Sequence, residues 1–292
     1  MKRLEEIVKK VDEFKKAKNV SVVRCLIKEI NKLYFLEVDN EPVVLKFSGR
    51  GWGEYEYKAM KTLYEEGYNV PKPYAFFPLH EVKDEEFSYG KLRRTVGWLV
   101  YSYIKGIVAS NAFEKETILK ATKFLKSFHD DPKHERERPF IEDYSKEEIR
   151  RGCARLQVLA AYFSSKEVKK VKEFLKKYGN EVIDFKVIHG DYRPQNLIRT
   201  ARGVAIIDFE GFSEGADPLK DLGIFLAEID RLNSRKGKVV DLDEILKTYS
   251  IECNLRLRFH MVRRYLTIMK YDELWRIKAK NRIMKVINEE FP

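Results

Sequence analysis

The hydrophobic period of this chain changes at Lys105-Gly106, so any fold must hold a strand-rich part before that point and a helix-rich part after it. Residues 20–48 carry three strand-like runs, NVSVVRCLIKEI, KLYFLEV and PVVLKFS, and Asp39-Asn40-Glu41-Pro42 supplies turn chemistry between the last two. A helix is expected from Glu54 to Glu66, with Tyr57, Met60, Leu63 and Tyr64 at helical spacing and Gly67 as its stop. PYAFFPL, then FSYGKLRRT and GWLVYSYI after a charged interruption at His80–Glu86, complete what reads as a five-stranded antiparallel sheet with one helix inserted after the third strand. Helices are expected over Phe113–His129, Lys146–Tyr162 and Lys166–Tyr178, then short strand pieces within 186–208, then helices to the end. The expected class is α+β in two lobes: residues 1–101, a hinge at 102–106, and a mainly helical lobe over 107–292.

Composition bounds the function. At 292 residues and 44% hydrophobic content the chain can bury a large core. No apolar run reaches the ~18 residues of a membrane span, and MKRLEEIVKKVDEFKK lacks the apolar centre of a secretory signal, so a soluble cytoplasmic protein is expected. Cys25, Cys153 and Cys253 lie far apart, and the five histidines show no ligand spacing, which reads as free thiols without a zinc site. The excess of 57 basic over 46 acidic residues, +11, favours anionic partners such as a nucleotide, a phosphorylated substrate, anionic lipid or RNA. Lys and Glu also interleave as on ordinary solvated helices, for example in VKKVKEFLKKYGNEV.

The segment VIHGDYRPQNLI places Asp191 five residues before Asn196, between two apolar runs. A second apolar piece, GVAIIDFEGF, ends in Asp208. The polar turn RTARG between them, with Gly203, suits a hairpin that brings Asn196 and Asp208 together. Magnesium takes one or two protein oxygen ligands beside phosphate and water, and an Asn carboxamide with an Asp carboxylate is such a pair. Asp191 is then free to accept a proton from a hydroxyl nucleophile.

This is the constellation of a protein kinase catalytic loop, except that His189-Gly190-Asp191 replaces the His-Arg-Asp form and Glu210 stands where those enzymes have Gly. Together HGDYRPQN, IIDFEGF and ADPLKDL resemble the aminoglycoside phosphotransferase and choline kinase superfamily, over about residues 20–230. The resemblance implies a protein-kinase-like fold, ATP and Mg2+ as cofactors, Asp191 as catalytic base and Asn196 with Asp208 as magnesium ligands. It also implies that Asp221 braces the loop backbone. Arg193 is read as stabilising charge on the transferred phosphoryl group, and His189 as a buried imidazole bracing the loop. Glu210 is open between a place beside the metal and a cap on its loop. Asp217, before Pro218, reads as a helix cap. The fold analogy needs a strand lysine and a helix glutamate, and Lys46 and Glu56 stand in that order, Glu56 being preferred to Glu54. Adenine would bond the main chain around Ser102 and Tyr103. LIKEINKLYFLEV has no glycine where a phosphate loop is expected, and Arg50-Gly51-Trp52-Gly53 reads chiefly as the bend into the helix.

The last segment, from LRLRFHMVRRYLTIMK onward, is helical and basic, which disfavours polycationic acceptors and admits an anionic one. Phe259, Tyr265, Leu266, Tyr271 and Trp275 read as core, so RNA binding finds no support. The expected activity is transfer of the ATP γ-phosphoryl group to a hydroxyl of a small molecule. A Ser/Thr protein kinase is disfavoured because no activation segment follows Asp208, and a non-catalytic nucleotide-sensing or anionic-partner binding module because Asp191, Asn196 and Asp208 are all retained. Acceptor identity, ATP against GTP and oligomeric state stay open.

Overall fold

The structure is a computed structural model that describes residues 2–28, 31–82, 94–135 and 144–290. Its contacts divide the chain into two compact units, Met1–Ile107 with Ile198–Phe212, and Val108–Leu197 with Ser213–Pro292. Residues 198–212 thus group with the first unit although they come late in the chain.

In the first unit, β1 (Val20–Lys28), β2 (Asn31–Val38), β3 (Glu41–Ser48), β4 (Pro73–Val82) and β5 (Arg94–Ser102) form an antiparallel sheet of order β1-β2-β3-β5-β4. The run FSYGKLRRT lies mostly outside the described residues, and its last two, Arg94 and Thr95, open β5. Asp39 and Asn40 turn the chain between β2 and β3 with φ of 47° and 68°, the left-handed pair that a two-residue hairpin demands and that Asn and Asp tolerate. The Asp39 carboxylate accepts from the Lys18 and Asn19 amides at 3.0 and 2.8 Å, and those bonds lower its pKa.

Helix α2 (Gly53–Glu65) follows β3 and buries Glu56, Ala59, Met60 and Leu63. A Cβ at Gly53 would meet the Phe76 ring at 2.7 Å and Ser48 at 2.9 Å, so the helix enters where no side chain fits. The N-terminal segment, given no role by the sequence reading, forms α1 (Lys2–Val8) and a 3-10 turn at Asp12–Phe14. Its Ile7, Val8, Val11 and Phe14 pack with Leu36, Val38, Val43, Leu45 and Val100, so the face of the sheet is closed by the chain's own beginning.

The second unit is helical. It contains α3 (Lys115–Asp130), α4 (Tyr144–Val158), α5 (Ser165–Lys177), α6 (Leu219–Lys236), α7 (Leu242–Tyr249), α8 (Leu255–Tyr271) and α9 (Arg276–Ile287). Between them fall the short strands β6 (Ile107–Val108), β7 (Lys186–Ile188) and β10 (Ser213–Ala216), of which β7 and β10 pair antiparallel. Strands β8 (Leu197–Thr200) and β9 (Gly203–Ile206) are neighbours joined by the expected turn, tightened by Thr200 Oγ1 donating to the Gly203 carbonyl at 3.1 Å. Helix α6 is buried along most of its length, from Leu219 to Leu232. It meets α8 at Gly223, where an added Cβ would stand 2.6 Å from the His260 Cβ.

Much of the basic C-terminal segment is not a solvated face. Arg256 pairs with Asp217, Arg263 with Glu148, Arg264 with Glu228 and Arg282 with Asp230. Phe259, Tyr265, Leu266 and Trp275 are core as expected, while Tyr271 is 72% exposed. Among the described residues no helix is long and apolar enough to cross a membrane.

Because the α6–α8 contact has no room for a methyl group, Gly223→Ala is expected to destabilise the chain by about 1–3 kcal/mol, the usual cost of overpacking. Urea unfolding at neutral pH measures it, with Gly179, where an added Cβ meets only the end of the Ile149 side chain at 3.3 Å, as the contrasting position.

Candidate active site

Two constellations contain the residues singled out in the sequence, one in each unit. In the first, Lys46 projects from β3 and is 3% exposed. Its ammonium lies 2.8 Å from Glu56, 2.9 Å from Asp208 and 2.8 Å from Glu210. Both faces of β3 are buried from Val43 to Lys46, and alternation puts Lys46 on the face opposite Leu45; Glu56 in the first turn of α2 is the carboxylate that reaches it, whereas Glu54 pairs with Lys58. Asp208 ends the segment after β9 in a left-handed conformation, φ 68° and ψ 68°, which Asp accepts more readily than most side chains. Glu210 also accepts from the Asn31 amide at 2.7 Å, and Asn31 in turn accepts from the Gly49 N–H at 3.0 Å. Asn31, from the glycine-free β1–β2 segment, went unremarked in the sequence.

One ammonium among three carboxylates leaves a surplus of negative charge. Burial alone would lower the Lys46 pKa, but Glu56, Asp208 and Glu210 hold it well above the ordinary lysine range. Glu56 carries the strain: burial pushes its carboxyl up to about 7, and Asp208 and Glu210 add to the rise that Lys46 opposes. One oxygen each of Glu56, Asp208 and Glu210 lie within 4.8 Å of one another, a set of hard donors that suits a divalent cation.

Ser102 and Tyr103 stand at the end of β5. The Ser102 N–H donates to the Lys72 carbonyl at 2.9 Å and the Tyr103 N–H to the Pro42 carbonyl at 3.1 Å, so both amide hydrogens are engaged.

In the second unit the loop from His189 to Asn196 hangs on Asp221. That fully buried carboxylate accepts from the His189 and Gly190 N–H groups, each at 2.7 Å, and from His129 at 3.4 Å. Burial would raise its pKa, but the His129 and His189 contacts keep it lowered. Gly190 turns with φ 81°, a conformation that costs glycine least. The Asp191 N–H then donates to His189 Nδ1 at 3.2 Å, which fixes the buried imidazole as a brace.

The Asp191 carboxylate is oriented from three sides. Arg193 Nε is 2.8 Å from Oδ2, Asn196 Nδ2 donates to Oδ2 at 3.1 Å and to the Asp191 carbonyl at 3.0 Å, and Arg264 Nη1 is 3.3 Å from Oδ1. With its nitrogen so used, Asn196 presents its carboxamide oxygen as the free donor atom. Arg264 is itself held by Glu228, with Nε and Nη2 at 2.8 and 2.5 Å from one carboxylate oxygen. The sequence reading counted Arg264 only among the basic residues of the tail.

Asp217 is more than the expected cap. Its carboxylate does accept from the Leu219 N–H at 3.0 Å, but it also takes Tyr178 at 2.9 Å, Arg256 at 2.6 Å and His260 at 3.1 Å. Burial works against the charge, and the His260 and Arg256 bonds hold the carboxyl well below its usual range.

Residues 25–250 match the profile of the family described as "Phosphotransferase enzyme family", and the chain belongs to that family. No curated protein matches the chain. Among solved structures, choline kinase from Cryptosporidium parvum Iowa II superposes with a TM-score of 0.63 at 11% identity, covering 99% of this chain and 94% of its own. Choline kinase from Streptococcus pneumoniae gives 0.61 at 18% identity, with 98% of this chain and 99% of that one covered. A thermostable mutant of an aminoglycoside phosphotransferase, in ternary complex with ADP and hygromycin B, gives 0.62 at 12% identity and covers 98% of both chains. The fold is thus the kinase-like α+β fold of the aminoglycoside phosphotransferase and choline kinase superfamily, as the motifs implied.

The charge surplus around Lys46 has a measurable consequence. Glu56 binds its proton more tightly in the folded than in the unfolded chain, so between its ordinary value of 4.5 and about 7 the folded state holds more protons and this group's contribution to stability falls as pH rises. Glu56→Gln removes that titration. Urea unfolding from pH 5 to 8 is expected to show the wild type losing stability relative to the variant, and parallel curves would contradict it.

Proposed function

We propose that this chain transfers the γ-phosphoryl group of ATP to a hydroxyl group of a small molecule. The observation that carries the reading is Asp191: a carboxylate on a loop with a fixed backbone, oriented by Arg193, Asn196 and Arg264. A base so held can accept the proton of an incoming hydroxyl without reorganising, and positioning with charge stabilisation supplies most of what phosphoryl transfer needs.

Lys46, kept charged by its carboxylates, is the group for the nucleotide's α- and β-phosphates, with Glu56 fixing its direction. Main-chain recognition of adenine is assigned to the segment at Ser102 and Tyr103, at the end of β5. Asn196 and Asp208 offer the oxygens that would hold Mg2+, and Glu210 and Glu56 add negative charge beside Asp208. When bound, the metal neutralises charge on the phosphates. Arg193 faces the same carboxylate as the acceptor and is placed to stabilise the phosphoryl oxygens as charge develops. Nucleotide use is supported by relatives of the same fold solved with ADP and with AMP-PNP, and a small-molecule acceptor by the hygromycin B in those complexes. Helix α6 opens at Leu219, which leaves no room after Asp208 for the long activation segment of a protein kinase.

Asp191→Asn keeps the size of the side chain but removes the proton acceptor. Its rate of label transfer from γ-labelled ATP into a small-molecule extract is expected to fall by about 10²–10⁴, the usual worth of a positioned base, with Mg-ATP binding retained. Transfer at the wild-type rate would remove the base from the mechanism.

A further inference from the structure

We propose that Asn31 is a positioning residue for the nucleotide's metal: its carboxamide aims Glu210 so that Glu210 joins Asp208 in holding the divalent cation. The inference rests on Asp208 as a metal ligand, and a variant of Asp208 separates the two.

Three carboxylates surround Lys46, and exposure sorts them. The Glu56 side chain is 1% exposed, whereas those of Asp208 and Glu210 are 32% and 18% exposed. A cation arriving with a nucleotide therefore meets Asp208 and Glu210. Of these two, Glu210 is directed by a neutral side chain. Its Oε1 lies 2.8 Å from the Lys46 ammonium and accepts from Asn31 Nδ2 at 2.7 Å, and neither contact uses Oε2. Asn31 is oriented in turn, because its Oδ1 accepts from the Gly49 N–H at 3.0 Å and its nitrogen must then face Glu210. Two donors on one oxygen restrict rotation of the carboxylate and leave the other oxygen for a metal.

The residue type fits this task. A lysine at position 31 would neutralise a carboxylate that the cation needs, and an aspartate would add a further anion without a donor. A carboxamide directs Glu210 and leaves the charge of the cluster as it is. Asn31 also belongs to the segment LIKEINKLYFLEV, which has no glycine to let the backbone approach phosphates. Two glycine amides after β3 do not supply that contact, since the Gly49 N–H is taken by Asn31 and the Gly51 N–H by the Ser48 carbonyl at 3.3 Å. The segment then acts on the phosphates through the metal, by way of Glu210.

Mn2+, an oxygen-liganded stand-in for Mg2+, is titrated into the full chain with AMP-PNP and followed by its EPR signal, and AMP-PNP binding is measured again without metal. Asn31→Leu, which removes both hydrogen bonds, is expected to weaken Mn2+ binding by about tenfold or more, the usual loss when the partner behind a metal ligand is removed, with metal-free nucleotide binding little changed. In a Glu210→Gln background the same substitution is expected to add little, because Asn31 acts through that carboxylate. Asn31→Gln, which keeps the amide, retains part of the affinity and replaces Asn31→Leu in the cycle if that variant does not fold. Unchanged Mn2+ affinity in Asn31→Leu, an equal loss with and without metal, or a full additional loss in the Glu210→Gln background would each overturn the proposal. If Asp208→Asn loses Mn2+ and Asn31→Leu does not, Asn31 has no such role and the phosphotransferase reading stands. If Asp208→Asn binds Mn2+ as the wild type does, the metal reading of Asp208 falls and this proposal falls with it.

Discussion

Asp221 is the constraint on which the second unit's chemistry depends. A carboxylate with no exposure to water is costly, and it persists because both of its oxygens are engaged, by two backbone N–H groups and a histidine. The same bonds pin the backbone of His189 and Gly190 to the first turn of α6. Asp191 follows immediately and inherits that rigidity, so its carboxylate can be aimed by long arginine side chains without the loop giving way. Asp217, four residues before Asp221, ties the start of α6 to α8 through Arg256 and His260. The loop, α6 and α8 are thereby one braced assembly.

The first unit solves the opposite problem. There the buried charge is a lysine, and the carboxylates around it exceed what one ammonium can satisfy. The surplus is carried by Glu56, whose proton affinity rises, and by the partly exposed Asp208. Such a cluster is poised for added positive charge.

The sequence disclosed what is local. Lys46 at the end of a strand, Glu56 at the start of the next helix, the His189–Asn196 loop and Asp208 after a strand are each readable from short windows, because strands and helix starts have local sequence signals. The N-terminal segment carries Leu4, Ile7, Val8, Val11 and Phe14 at helical spacing, but the lysines and glutamates between them hide that signal. What stayed hidden is pairing over long separations. Nothing near Arg264 announces Glu228, and nothing near Asp217 beyond its capping position announces Tyr178, Arg256 and His260. Those partners are chosen by which helices pack together, and a basic helix in sequence reads the same whether water or buried carboxylates surround its arginines.

Gly223 gives this packing a length scale. Asp221 and Glu228 lie on α6 to either side of it, and His260 and Arg264 lie on α8 at and beyond the point of contact. The reach of Arg264 toward Glu228 and Asp191 is therefore set by how closely two helix backbones approach, and that distance is set by a hydrogen atom where other residues have a carbon. In this protein the aim of an arginine at the Asp191 carboxylate is written partly in a residue that has no side chain.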